Sequence, residues 1–81
     1  MLVHFYGSLS ERLGRSVSIE LPQRIATVAD LRNLLVEAYP EAATEIARPS
    51  LRACVGDEIV SDDHDIRGAD VVEFLPPLSG G

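Results

Sequence analysis

The chain has 81 residues, 46% hydrophobic, with 13 acidic and 7 basic side chains and a formal charge of −6. A chain of this length supports one domain around one core, because so small a fold buries only roughly 60% of its unfolded surface, and a multidomain enzyme carrying its own cofactor fold is not expected. All seven basic residues are arginine, and with this acidic balance the chain offers no electrostatic source of affinity for a nucleic-acid backbone or an anionic membrane.

The single cysteine, Cys54, cannot form an internal disulfide, and one thiol with the distant His4 and His64 does not assemble a metal cluster. No basic region with an apolar stretch opens the chain, and no segment approaches a membrane span, so the sequence reads as a cytoplasmic protein. Residues 1–56 hold six acids against six arginines, whereas residues 57–81 hold seven acids against Arg67. That excess fits either a solvated acidic loop or a face that steers this end of the chain towards a basic partner.

In chain order, Leu2-Val3-His4-Phe5-Tyr6 predicts a first strand ending at Gly7-Ser8. Ser8 to Gly14 predicts one or two helical turns with a serine start and a glycine stop. Val17, Ile19 and Leu21 alternate with Ser18 and Glu20, the period of a half-buried strand that Pro22 ends, and this strand is expected to pair antiparallel with the first. Thr27 caps the clearest helix, with Asp30 three residues on and Val28, Leu31, Leu34, Leu35 and Ala38 on one face before Pro40. Residues 41–48 predict a short helix up to Pro49. Leu51 to Val55 reads as a strand, Gly56-Asp57-Glu58 as a turn, and Glu58-Ile59-Val60 as a brief return strand. After a polar connection from Asp65 to Asp70, Val71-Val72-Glu73-Phe74-Leu75 predicts a last, central strand.

One helix laid across a small mixed sheet satisfies these apolar faces, and the crossover rule makes a post-helix strand parallel to the first. The expected class is α+β, with a β-grasp, ubiquitin-like domain over residues 1–75. Residues 76–81 are read as an extended tail. Two prolines, Pro76 and Pro77, remove donors and fix φ, so the sheet stops at Leu75 and the chain leaves stiffened. Six residues reach at most about 20 Å. Gly80 and Gly81 carry no side chain, so such a tip fits a channel too narrow for other residues. Fraying glycines need no function, but the prolines and Leu78 before them are a costly way to build a loose tail.

Phe74-Leu75-Pro76-Pro77-Leu78-Ser79-Gly80-Gly81 resembles, position by position, the terminal motif of the molybdopterin synthase small subunits, the MoaD family of ubiquitin-like sulfur carriers. The similarity extends to Leu51–Ser61, to Asp63-His64 with Gly68 and Asp70, and to Phe5–Leu9. Gly56 stands where the family often has asparagine, and Leu75 where a second phenylalanine is frequent. Related carriers of thiamine and cysteine pathways also end in Gly-Gly, generally without this Pro-Pro-hydrophobic-Ser run.

The resemblance implies a non-catalytic, sulfur-carrying subunit of molybdopterin synthase. Gly81 would be adenylated by a ubiquitin-activating-like adenylyltransferase of the MoeB type, which uses ATP, and then converted to a thiocarboxylate. The tail, Phe74 to Gly80, would bind partners and thread into the large subunit, delivering sulfur to cyclic pyranopterin monophosphate. The implied assembly is a heterotetramer with that subunit, and the chain itself would bind no cofactor. Another sulfur pathway, or a ubiquitin-like protein modifier, is the alternative. The chain has no lysine, which rules out self-conjugation through lysine side chains.

Cys54 is expected to be a small core residue, since no nearby basic group would lower its pKa. Asp62-Asp63-His64-Asp65 lacks the spacing of a calcium loop and reads as a solvated turn. His4 is read as a sheet residue. Phe5, Phe74 and the helix leucines are read as core, with Phe74 and Leu75 also facing a docking partner.

Overall fold

In the computed structural model, which describes residues 1–77, the elements run β1 (Leu2–Phe5), α1 (Ser8–Leu13), β2 (Ser16–Ser18), α2 (Val28–Ala38), a 3₁₀ turn (Pro40–Ala42), α3 (Ala43–Ala47), β3 (Arg52–Val55), β4 (Glu58–Val60) and β5 (Val71–Leu75). The five strands form one sheet in the order β2-β1-β5-β3-β4. β5 is parallel to β1, with Val3 opposite Val72 and Phe5 opposite Phe74, and the other pairings are antiparallel. The last strand is therefore central, and the order of elements is that of a β-grasp fold.

Helix α2 forms where its signals agree. Thr27 and Asp30 complete a capping box, in which the Thr27 hydroxyl accepts from the Asp30 N–H at 3.2 Å and the Asp30 carboxylate accepts from the Thr27 N–H at 3.1 Å. Val28, Leu31 and Leu35 turn inward against Val3 and Phe5 of β1, Ala53 of β3 and Val72 and Phe74 of β5, forming one core cluster. Phe5 and Phe74 stack with centroids 6.4 Å apart. The short helix expected over residues 41–48 is split into the 3₁₀ turn and α3, which contribute buried Ala42 and Ile46.

Several local expectations are corrected. Helix α1 begins at Ser8 as expected, but its N-cap is Gly7 and not a serine: Gly7 has φ of 65°, and its carbonyl accepts from the N–H groups of Ser10 at 3.1 Å and Glu11 at 3.4 Å. The Ser8 hydroxyl is drawn away to Glu45. Strand β2 stops at Ser18, although the Ile19 N–H still donates to the Met1 carbonyl and Val17, Ile19 and Leu21 keep their half-buried phase. The connection between Asp65 and Asp70 is not wholly polar in role, because Ile66 is buried and its N–H donates to Ala26 at 2.8 Å.

The turn joining β3 to β4 has positive φ at both Gly56 (58°) and Asp57 (68°), with Val55 opposite Glu58. Two positive φ values in a two-residue hairpin are the demand of the primed turn that matches strand twist, which glycine and aspartate meet at low cost.

Candidate functional site at the end of the sheet

The helices cover one face of the sheet and leave the other open. Strand alternation places Leu2, His4 and Tyr6 from the β1 end, Val71, Glu73 and Leu75 of β5, Arg52 and Cys54 of β3, and Ile59 of β4 on that open face. Ile59 is 62% exposed, and Leu2 and Tyr6 are each 41% exposed, so three large apolar side chains face outward. Glu73 sits among them: the Tyr6 hydroxyl donates to its carboxylate, and His4 Nδ1 lies 3.8 Å from it. The Glu73 carboxylate that accepts this bond holds the Tyr6 hydroxyl above its ordinary pKa.

Cys54 belongs to this open face, outside the main core cluster. It is buried all the same, flanked across the strands by Glu73 and Ile59. Its burial, and then the Glu73 and Asp57 carboxylates, push the thiol pKa up, which is the reverse of a nucleophile.

The acidic loop after β4 has a structural task. The carbonyls of Asp62 and His64 accept from the N–H groups of Ala29 (2.8 Å) and Val28 (3.1 Å) at the start of α2. The Asp62 carboxylate pairs with Arg32 at 2.9 Å, Asp63 accepts from Ser61, and Asp65 pairs with Arg67 at 2.7 Å. Arg67 holds the Asp65 carboxyl down to about 2. Among the described residues, no group of three or more His, Cys, Asp or Glu is placed to hold a metal ion. Among them too, no helix is long and apolar enough to cross a membrane.

The end of β5 is the point where the sheet hands the chain over. Phe74 is fully buried, so it anchors the strand from within and does not face a partner as the sequence suggested; burying a side chain of this size is worth roughly 1.5–3 kcal/mol. Leu75 is half-buried and opposite Arg52 on the open face. Pro76 and Pro77 then end the ladder, since neither has an N–H to donate. Pro76 is half-buried against Gly7, and Pro77 is exposed. Leu78, Ser79, Gly80 and Gly81, the other tail residues singled out from the sequence, lie outside the described residues.

Two depressions flank the prolines. A mainly apolar groove of about 750 Å³ is lined by Tyr6, Pro49, Ser50, Arg52, Ile59, Leu75, Pro76 and Pro77. A smaller one of about 280 Å³ lies on the other side, among Ser8, Glu45, Arg48, Ser50, Leu51 and the same two prolines. The sequence did not single out Tyr6, Gly7 or Ile59 for this site. The available signal was phase: Leu2, His4 and Tyr6 alternate with the core residues Val3 and Phe5, which leaves an apolar second face.

The described part of the site offers an apolar docking rim and a stiff exit for the chain.

Comparison with known proteins agrees with this architecture. A model of the ThiS family matches residues 3–81. The molybdopterin synthase sulfur carrier subunit of Escherichia coli (strain K12) is 30% identical over 79 residues, covering 98% of this chain and 96% of that protein. Among solved structures, SAMP1 from Haloferax volcanii superposes with a TM-score of 0.79 over 99% of this chain and 97% of that one; at 23% identity the likeness is one of fold.

Proposed function

This chain belongs to the ThiS family, and from that premise we propose that it is a sulfur carrier that acts as the small subunit of a molybdopterin synthase. The observation that carries the proposal is the two-proline stop at the end of the central strand, with Pro76 seated against Gly7, immediately before Leu78-Ser79-Gly80-Gly81. A rigid base with a slender end is what an acyl group needs in order to visit the active sites of other proteins.

The reaction sequence starts at the Gly81 carboxylate, a poor electrophile. An oxygen of this carboxylate attacks the α-phosphorus of ATP on an activating adenylyltransferase, and pyrophosphate leaves. Hydrosulfide then attacks the acyl carbon of the adenylate, AMP departs with the bonding pair, and a thiocarboxylate remains. On the large synthase subunit, that sulfur attacks a carbon of cyclic pyranopterin monophosphate and displaces an oxygen leaving group from it, and water then cleaves the acyl–sulfur bond, leaving the thiol on the pterin and returning the acyl group to carboxylate. Two such deliveries build the dithiolene.

This chain's own residues bind and position. Leu75, Tyr6 and Ile59, with Pro76 and Pro77, present apolar surface beside the exit of the tail, where both the activating enzyme and the large subunit must approach. Gly80 and Gly81 give clearance in a narrow channel. The substrate-binding and catalytic groups belong to the partners, in keeping with an acidic, lysine-free chain.

The direct test is deletion of Gly81. The shortened chain should keep the wild-type melting temperature and lose all ATP-dependent sulfur loading. Loading that persists without Gly81 would contradict the proposal, whereas a loaded protein that cannot supply molybdopterin synthase would place the carrier in another sulfur pathway.

A further inference from the structure

Gly7 has φ of 65° and ψ of −143°, a backbone state that L side chains rarely adopt. A methyl group built on it would lie 3.0 Å from Cγ of Pro76, 3.6 Å from its Cβ and 3.9 Å from its Cδ. The proline ring thus sits where a residue-7 side chain would point. The two residues are far apart in sequence, and the contact joins the β1–α1 turn to the first residue after β5.

The seat is firm on both sides. The Gly7 carbonyl accepts from the Ser10 N–H and, at 2.7 Å, from the Ser10 hydroxyl. The Ser8 hydroxyl donates to Glu45 at 2.5 Å, and Arg12 bonds the same carboxylate at 3.0 Å, so the turn is tied to α3. One residue before Leu75, Phe74 is locked in the core.

We propose that Gly7 is a positioning residue for the sulfur-carrying tail: its missing side chain forms the seat for Pro76 and so sets the direction in which the chain leaves the sheet. The inference rests on the sulfur-carrier reading and names a determinant of it within the folded domain. A pyrrolidine ring cannot rotate aside as an open side chain can, so crowding from residue 7 is relieved by tilting the backbone at residues 75–77. A 3.0 Å contact must open by a few tenths of an ångström, and that shift at the base redirects the chain that follows it. Misplacement of reacting groups by about 1 Å already costs up to roughly a hundredfold in rate.

The test is a double-mutant cycle of G7A, P76A and G7A/P76A, read as the initial rate of sulfur loading by intact mass, with the activating enzyme, ATP and sulfide present, below the melting temperature of every variant. Positioning predicts a rate for G7A reduced by roughly tenfold or more, a smaller loss for P76A, and a double variant no slower than P76A. Backbone strain at residue 7 alone predicts that G7A has the same effect with and without the ring. Equal effects of G7A in both backgrounds, or wild-type loading by folded G7A, would overturn the inference.

Should G7A fail to fold, P76A decides: an unchanged melting temperature with slowed loading supports the seat, and wild-type loading refutes it. If the wild-type protein itself is not loaded, the carrier reading fails. The seat is then judged separately by the nuclear Overhauser contact between the Gly7 Hα protons and the Pro76 ring, whose absence would remove it.

Discussion

The guanidinium carbon of Arg32 lies 5.4 Å from the centroid of the Phe74 ring, placing a cation from the main helix over the residue that anchors the last strand. Arg32 Nη1 also donates to the Ile46 carbonyl at 2.8 Å and to the Arg48 carbonyl at 3.2 Å, and Nη2 to Asp62 at 2.9 Å. One buried side chain therefore joins α2, the end of α3, the acidic loop and β5. Its Nε is buried without a hydrogen-bond partner, so the residue is held at some cost.

Replacing Arg32 by methionine keeps the stem and leaves the carbonyls unpaired, which should cost about 2–3 kcal/mol in denaturant unfolding. Asp62→Asn, at a carboxylate 56% exposed, should cost less than about 1 kcal/mol. Equal losses for the two variants would show that the ion pair, not the carbonyl and ring contacts, carries the effect.

The helix cap gives a pH signature. The Ala26 and Thr27 N–H groups bonded to Asp30 hold its carboxyl below the usual range. A depressed folded value means that the stabilisation is complete above the unfolded pKa of about 3.9 and is lost as pH falls through the lower folded one. Asp30→Asn can still accept these bonds but cannot titrate. Its stability deficit at neutral pH should therefore shrink to nothing in acid, and a deficit that stays constant across the acid limb would contradict this role.

Cys54 should behave as an inert thiol. With its pKa raised by burial and by Glu73, alkylation by iodoacetamide at pH 7 should be slow in the folded protein and should reach one equivalent only on unfolding. Rapid labelling of the native chain would show that the open face exposes a reactive sulfur.

The apolar rim can be separated from the fold. Ile59→Ser, at a side chain 62% exposed, should leave stability within about 0.5 kcal/mol. It should raise the KM of the activating enzyme for this carrier while leaving kcat largely unchanged. A fall in stability without change in KM would assign Ile59 to the hairpin alone.

Where several local signals coincided, the sequence was sufficient. Thr27 and Asp30, followed by apolar residues at helical spacing, specify α2 and its cap, and the apolar run from Val71 to Leu75 ending at two prolines specifies a central strand and its stop. Isolated residues were harder to read. Ile25 and Ile66 join the core from polar surroundings, and what buries them is the pairing of the Ala26–Thr27 segment with Asp65–Ile66, a contact across the chain with no local period. Cys54 was legible as a buried residue of β3, but its face was not, because a one-residue phase decides which side of a sheet a side chain occupies. The Gly7–Pro76 contact could not be read from spacing at all, since it arises from the parallel pairing of β1 with β5.

The central claim is that Gly81 carries sulfur for molybdopterin synthesis, and intact mass tests it most directly. The protein is incubated with ATP, a sulfide source and its activating enzyme, then mixed with the large synthase subunit and cyclic pyranopterin monophosphate. A mass gain equal to replacement of one oxygen by sulfur at Gly81, lost again on adding that substrate, is the predicted result. No mass change with a competent activating enzyme, or a thiocarboxylate that is not discharged there, would contradict the account.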